Sequence, residues 1–293
     1  MQLLDGKQLA SLIRADLKIE VEALKARGIR PPHLSAILVG NDAASATYVN
    51  NKIKACEEIG FGSSLLRFDE DISEDELLAK VNALNTDDKI DGFIVQLPLP
   101  AHINVDKVIE AVAPDKDADG FHPVNIGRMV KNLPALLPAT PKGIIEMLRH
   151  YKVETSGRHC VVVGRSQIVG LPVSILLGRK SYPGDCTVTL AHSRTKNIAE
   201  VIRQADIIIA AIGLAHFIKE DMVKQGAVII DVGTNSIPDS TKKSGYRLTG
   251  DVDFDHVAPK CAAISPVPGG VGPMTIASLL QNTMQAAKMR RGF

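Results

Sequence analysis

The stretch Val161-Val-Val-Gly-Arg-Ser-Gln-Ile-Val-Gly170 decides how the rest of the chain reads. A continuous apolar run ends at Gly164, and a second glycine follows six residues later, where a helix should open. Such a run reads as a parallel strand buried on both faces. A glycine turn leading into a helix lets backbone N–H groups approach a pyrophosphate at the helix amino end, where partial positive charge collects. The full G-x-G-x-x-G pattern is not met, because Ser166 stands at the middle glycine. On these residues alone the turn is either a dinucleotide cradle or an ordinary tight strand-to-helix connection.

Outward from this run the alternation continues. Strands are expected over 159–163, 187–191, 206–212 and 227–232, with helices over 170–177, 197–204 and 219–224 between them. Upstream, Leu9, Leu12, Ile13, Leu17, Val21 and Leu24 recur at three- and four-residue spacings, an amphipathic helix over 6–27 closed by Gly28. A strand over 34–39, a helix from Asn41-Asp42 to Ile59 stopped at Gly60, a strand over 63–68, a strand over 92–96 and a helix over 104–112 follow. Ser73-Glu-Asp-Glu76 is a capping box, so the acidic run 69–76 reads as a solvated helix start. Residues 114–141, rich in Pro, Gly, Asn and Asp, read as a connector, and a helix over 142–151 enters a second unit. A last helix, 273–289, follows Gly269-Gly270-Val271-Gly272 and is expected to return to the first unit. The expected fold class is α/β: two α/β domains flanking a cleft, the second a Rossmann-like dinucleotide-binding domain. The expected boundaries are 1–139 plus 275–293 for the first domain and 140–274 for the second.

Composition narrows the function classes. The 293 residues carry 34 Lys and Arg against 33 Asp and Glu, so no strong field draws the molecule to nucleic acid or anionic membranes. With 45% hydrophobic and 23% charged residues the chain is globular, not disordered. Cys56, Cys160, Cys186 and Cys261 lie far apart without a C-x-x-C pair, which argues against a zinc ribbon or disulfide scaffold and for a reducing cytoplasm. Neither a leader nor a membrane span is legible, so a soluble, untargeted protein is expected.

Several residues could carry chemistry. The second strand of the dinucleotide unit ends Ala191-His-Ser-Arg-Thr195, with no acid to hold a ribose 2′-hydroxyl. With Arg165 in the first turn, Arg194 favours the 2′-phosphate of NADP over NAD, although a surface Arg194 beside a capping Thr195 is compatible with the same residues. Tyr48 and Lys52 lie four apart on one helix face, as ordinary surface neighbours do. In a dry pocket beside an orienting polar group, such a lysine can serve as acid and base. Gln96 ends a strand, where open α/β sheets present ligand contacts, or where a side-chain amide bonds the backbone. Asp115-Lys-Asp-Ala-Asp-Gly120 imitates the start of a calcium loop, but Ile126 occupies the position that requires a bidentate Glu, so no metal is expected. Asp119 is left as a turn-former or as a fixed carboxylate for a heterocyclic N–H array. Ser265-Pro-Val-Pro-Gly-Gly-Val-Gly-Pro-Met-Thr275 is stiff, closely approachable backbone, either ligand-lining or a connecting loop.

Taken together, Tyr48-x-x-x-Lys52, Val95-Gln-Leu-Pro-Leu99, Lys116-Asp-Ala-Asp-Gly120, Gly164-Arg-Ser-x-x-Val-Gly170-x-Pro172, His192-Ser-Arg-Thr195, Asp231-Val-Gly233, Gly250-Asp-Val252 and Pro266–Thr275 resemble the bifunctional methylenetetrahydrofolate dehydrogenase/methenyltetrahydrofolate cyclohydrolase family. The resemblance runs nearly end to end and implies oxidation of 5,10-methylenetetrahydrofolate with NADP⁺, then hydrolysis to 10-formyltetrahydrofolate. It implies that Lys52 is the general acid/base, that Gln96 holds its amine and favours the neutral form, and that Tyr48 packs on the folate. Asp119 would bind the pterin, and Pro268, Gly269 and Gly270 would line the same pocket. Gly164, Arg165, Ser166, Gly170, Ser193, Arg194 and Thr234 would contact the dinucleotide, and the protein would be a homodimer through the cofactor domain. Thr234 stands where the family usually has isoleucine, and Ala118, Ala139 and Ala191 are small departures. Short-chain dehydrogenases also use Tyr-x-x-x-Lys, but there the glycine turn comes first; here Tyr48 precedes Gly164.

Overall fold

Strands and helices alternate as the hydrophobic pattern requires, with ends set by local chemistry. The computed structural model describes residues 1–242 and 245–293. In chain order its first half holds β1 (Gln2–Leu3), α1 (Gly6–Ala26), β2 (His33–Val39), α2 (Ala43–Ile59), β3 (Gly62–Phe68), α3 (Glu74–Thr86), β4 (Gly92–Val95), α4 (Val105–Ala111), α5 (Pro123–Val130) and α6 (Ala139–His150). The second half holds β5 (His159–Val163), α7 (Gly170–Gly178), β6 (Thr187–Ala191), α8 (Ile198–Arg203), β7 (Ile207–Ala210), β8 (Val228–Asp231), β9 (Asn235–Pro238), β10 (Tyr246–Thr249), α9 (Phe254–Val257), β11 (Ala263–Ile264) and α10 (Val271–Arg291).

These elements form two compact units, one of residues 11–139 and 276–293, the other of residues 1–10 and 140–275. The first unit is built on a parallel sheet of order β3-β2-β4. Strand β2 alternates faces: Leu34, Ala36 and Leu38 join Val21, Leu24, Ile59, Leu279 and Leu280 in one core, while Ile37 and Val39 join Leu77, Phe93, Val95 and Val108 in the other. The last helix therefore supplies core to the first unit. Helix α3 opens on the capping box read from the sequence, Ser73 Oγ accepting from Glu76 N at 3.2 Å and the Glu76 carboxylate accepting from Ser73 N at 3.2 Å. At its other end the buried Lys116 donates to the carbonyls of Leu84 and Asp87, placing a cation where the helix dipole is negative.

The second unit carries a parallel six-stranded sheet, order β1-β11-β8-β7-β5-β6. Chain order reverses at β5, which has β6 on one side and β7 on the other. That is the topological switch point, outside whose carboxyl ends open α/β sheets bind ligands.

Four expectations need correction. Residues 1–10 belong with the second unit, because β1 pairs with β11; two strand residues carry too little pattern to be read. Residues 114–141 are not merely a connector: the Asp117 carboxylate accepts from Gly120 N, His122 N and Asn125 Nδ2 at 2.8–3.0 Å, which folds the segment and starts α5. The helix expected over 219–224 is a single 3₁₀ turn, Glu220–Met222, and Leu12 of α1 is exposed. No helix among the described residues is long and apolar enough to cross a membrane.

Leu280 is fully buried between α10 and β2. Leu280→Ala is expected to lower stability by about 2–5 kcal/mol, read from denaturant midpoints; a loss below about 1 kcal/mol would contradict the placement of α10 in this core.

Candidate active site

In the first unit, Gln96, Lys52 and Asp119 come together from the end of β4, from α2 and from the turn after Ala118. Gln96 follows β4 and extends its pairing, its N–H donating to Ile37 O at 2.9 Å. Its Nε2 donates to Leu97 O at 2.7 Å, which turns Oε1 toward Lys52, whose Nζ donates to it at 3.1 Å. Lys52 lies on the inward face of α2 with Val49 and Cys56 and is only 8% exposed. Asp42 caps that helix, its carboxylate accepting from Ser45 N at 2.7 Å, and Gly60 ends it in the left-handed region. The surface-pair reading of Tyr48 and Lys52 therefore fails for the amine. Tyr48, one turn earlier, is 44% exposed and offers its ring to solvent.

Asp119 completes the group. It borders an apolar pocket with Phe93, Val95, Leu97, Val112 and Phe121. Burial pushes its carboxyl above the ordinary range, the Lys52 amine pulls it back down, and neighbouring Asp117 adds a smaller upward push. The backbone around Asp119 is tightly held: Ala139 N donates to Asp119 O at 3.0 Å, and buried Asn282 of α10 donates Nδ2 to Ala118 O at 2.9 Å and Leu137 O at 2.7 Å. Gly120 has φ +76° and lies against Leu137 with no room for a Cβ. Asn282 escaped the sequence reading; its one signal is an amide on the apolar face of a helix.

In the second unit, Gly164 has φ +124°, and a Cβ there would overlap Ala211 O; a Cβ at Gly170 would overlap Gly164 O. Ser166 is tolerated at the middle position because its Oγ accepts from Val169 N at 3.2 Å and Gly170 N at 3.3 Å, capping α7. Residues 165–168 are exposed, and their amides donate to no backbone acceptor among the described residues, which leaves them available to a phosphate. Val163 of β5 pairs with Ala191 of β6, so exposed Arg165 and Arg194 follow neighbouring strands out of the same edge of the sheet. The turn bearing Ser193 and Arg194 is fixed by His192 N donating to Thr195 Oγ1 at 2.9 Å and Arg194 N donating to His192 Nδ1 at 3.2 Å. Exposed Thr234 follows β8 from that edge as well.

The segment Pro268-Gly269-Gly270 joins β11 to α10. Lys7 N donates to Gly269 O at 2.8 Å, and Gly6 and Gly270 touch backbone to backbone. The close approach at Gly270 is thus taken by the chain's own amino end, while a Cβ at Gly269, at φ +104°, would meet only Pro266 Cγ, at 3.9 Å.

Three comparisons with known proteins bear on this arrangement. Residues 4–119 match the catalytic domain of the tetrahydrofolate dehydrogenase/cyclohydrolase family, and residues 138–291 match its NAD(P)-binding domain.

The chain belongs to this family.

It is 61% identical over 290 residues to bifunctional protein FolD of Cytophaga hutchinsonii, covering 99% of this chain and all of that one, and 60% identical to its counterpart in Porphyromonas gingivalis, covering 98% and 97%. Among solved structures it resembles the bifunctional FolD enzyme of Campylobacter jejuni (45% identity, TM-score 0.93, 99% of each chain). It also resembles that of Trypanosoma brucei complexed with NADP and an inhibitor (38% identity, TM-score 0.93, 99% and 98% of the chains).

Burial lifts the Asp231 carboxyl, at the end of β8, from 3.8 to about 6, against the opposing pull of three backbone amides. The folded state therefore binds this proton more tightly than the unfolded chain, and the stability this group contributes falls as pH rises from about 3.8 to about 6. In a carboxyl ¹³C titration, Asp231 should show a midpoint near 6; a midpoint within the ordinary aspartate range would contradict the burial argument.

Proposed function

We propose that this chain oxidises 5,10-methylenetetrahydrofolate to the 5,10-methenyl cation and hydrolyses that cation to 10-formyltetrahydrofolate, with Lys52 as the proton-transferring group of the second step. The observation that carries this reading is the buried Lys52 amine hydrogen-bonded to Gln96, inside the region matching the family's catalytic domain. The carbon that loses hydride is flanked by two nitrogens that stabilise the resulting cation, so this step asks for positioning more than for a base. Bound NADP⁺ supplies the hydride acceptor.

Hydrolysis asks more of the side chains. Water adds its oxygen to the cationic carbon while Lys52 Nζ takes a proton from it. The carbon–nitrogen bond then breaks as the same amine returns a proton to the leaving nitrogen, and the remaining hydroxyl proton passes to solvent as the formyl carbonyl forms, carrying away the positive charge, so atoms and charge balance. Gln96 holds the amine by Oε1 and is itself fixed through Leu97 O, which keeps Nζ from swinging away between the two transfers. Tyr48 supplies an exposed ring for stacking on the folate, Asp119 a carboxylate for the N–H groups of the pterin, and Pro268 and Gly269 backbone for the same ligand, with Gly270 holding that segment against Gly6.

For the dinucleotide, Gly164, Gly170 and the exposed turn 165–168 fit a pyrophosphate, with Ser166 shaping the turn. Arg165, Ser193 and Arg194, with no acid at the end of β6, fit the 2′-phosphate of NADP, and Thr234 lies at the same sheet edge. The Trypanosoma brucei relative was solved with NADP. A homodimer through the 140–275 unit and a cytoplasmic setting complete the proposal. The four cysteines are unpaired and buried, which supports a reducing compartment, and a net charge of +1 offers nucleic acid no attraction.

The test supplies methylenetetrahydrofolate with NADP⁺ or NAD⁺ and follows reduced nicotinamide and the methenyl chromophore together. The expected result is faster reduction with NADP⁺ and only transient methenyl; no reduction with either dinucleotide would refute the activity. In Lys52→Met, methenyl should accumulate while its hydrolysis falls by at least about a hundred-fold. Hydrolysis at the unsubstituted rate would remove Lys52 from the mechanism.

A further inference from the structure

The motifs Asp231-Val-Gly233 and Gly250-Asp-Val252 have no role in the chemistry above, yet both aspartates are buried: Asp231 is 3% exposed and Asp251 not at all. Their hydrogen bonds interlock. The Asp231 carboxylate accepts from Gly233 N at 3.0 Å, Asp251 N at 3.0 Å and Val252 N at 2.9 Å. The Asp251 carboxylate accepts from Ile212 N at 2.7 Å, Gly213 N at 3.0 Å and Asn235 Nδ2 at 2.9 Å. Each glycine makes room for the other motif's carboxylate: a Cβ at Gly233 would overlap that of Asp251, and a Cβ at Gly250 that of Asp231. Both acids are thus satisfied by neutral N–H donors, a costly way to bury two carboxylates unless the position of those donors matters.

What the donors position is the edge of the dinucleotide crevice. Ile212 and Gly213 follow β7, and the preceding Ala211 O is the atom pressed against Gly164. The far end of that loop is tied to the same residue, Ile218 N donating to Asp251 O at 2.9 Å, and midway His216 N donates to Gly250 O at 3.2 Å. Gly233 and Thr234 follow β8, and Asn235 opens β9. The turns after β7 and β8 therefore take their places from one pair of acids.

We propose that Asp231 and Asp251 form a reciprocal latch that fixes these two turns in register with the Gly164 turn, with Asp251 a positioning residue for dinucleotide binding in the oxidation step; this rests on the dehydrogenase reading above. The latch contacts neither ligand. Removing the Asp251 carboxylate releases Ile212 and Gly213, two amides on the crevice edge, and leaves the Lys52–Gln96 pair as it is.

The experiment uses the full-length protein and two assays: NADP⁺-dependent oxidation, and hydrolysis of preformed methenyltetrahydrofolate without dinucleotide. Asp251→Ala should raise KM for NADP⁺ about ten-fold or more, the equivalent of one to two lost hydrogen bonds, with hydrolysis within about two-fold of the unsubstituted protein. Asp251→Asn can still accept from Ile212 and Gly213 while Asn235 turns its amide to face it, and it should recover most of the affinity. Equal loss in Asp251→Ala and Asp251→Asn, or an unchanged KM, would overturn the latch. If Asp251→Ala loses both activities together, Asn235→Ala decides. A selective rise in KM for NADP⁺ supports the latch, and none refutes it. Absence of NADP⁺-dependent oxidation in the unsubstituted protein would instead refute the dehydrogenase reading.

Discussion

A primary amine withdrawn from water must be held by something, and here it is held by the amide of Gln96. The rest of the first unit follows from that requirement. Gln96 is positioned because its N–H continues the β2–β4 ladder, and its side chain is turned by Leu97 O. Lys52 is positioned because α2 is capped at Asp42 and ended at Gly60, which presents Val49, Lys52 and Cys56 on one buried face. A buried lysine beside the half-buried Asp119 is electrostatically economical, each group easing the burial of the other. Helix α10 then closes the arrangement from the far end of the sequence, with Leu279 and Leu280 in the core and Asn282 bonded to the carbonyls flanking the Asp119 segment.

The second unit solves a different problem, how to keep an exposed glycine turn at the carboxyl ends of a parallel sheet while packing its turns tightly. Gly164, Gly170, Gly233 and Gly250 each stand where a Cβ would strike a neighbouring carbonyl or carboxylate. The glycines that a ligand-centred reading assigns to cofactor contact are therefore also required by turn-against-turn packing. Ser166 shows the compromise: its hydroxyl bonds two amides at the start of α7 while residues 165–168 stay exposed.

Much of this was legible before any coordinates. Period-3.6 and continuous apolar runs gave the alternation of strands and helices, and glycine and capping signals gave most helix ends, because those features are local. The Lys52–Gln96 pairing was legible only through the family resemblance, since 44 residues separate the two and no spacing links them. What escaped the sequence is non-local or too short to carry a pattern: the two-residue β1, whose pairing moves residues 1–10 into the other unit, and the β9–β10 hairpin. Helix α5 was hidden because its start depends on the buried Asp117 carboxylate, which the sequence presents only as one acid in an imitation calcium loop. The amide of Asn282 and the carboxylates of Asp231 and Asp251 declare themselves only through partners distant in the chain.

The most direct measurement is a crystal structure of this protein with a tetrahydrofolate analogue carrying the one-carbon bridge. Lys52 Nζ, still bonded to Gln96, should lie about 3 Å, or one water molecule, from the position of the bridging carbon, with Asp119 against the pterin edge. An analogue bound with its bridge remote from Lys52, or an amine turned away from Gln96 and into solvent, would contradict the assignment of the hydrolytic step to this pair.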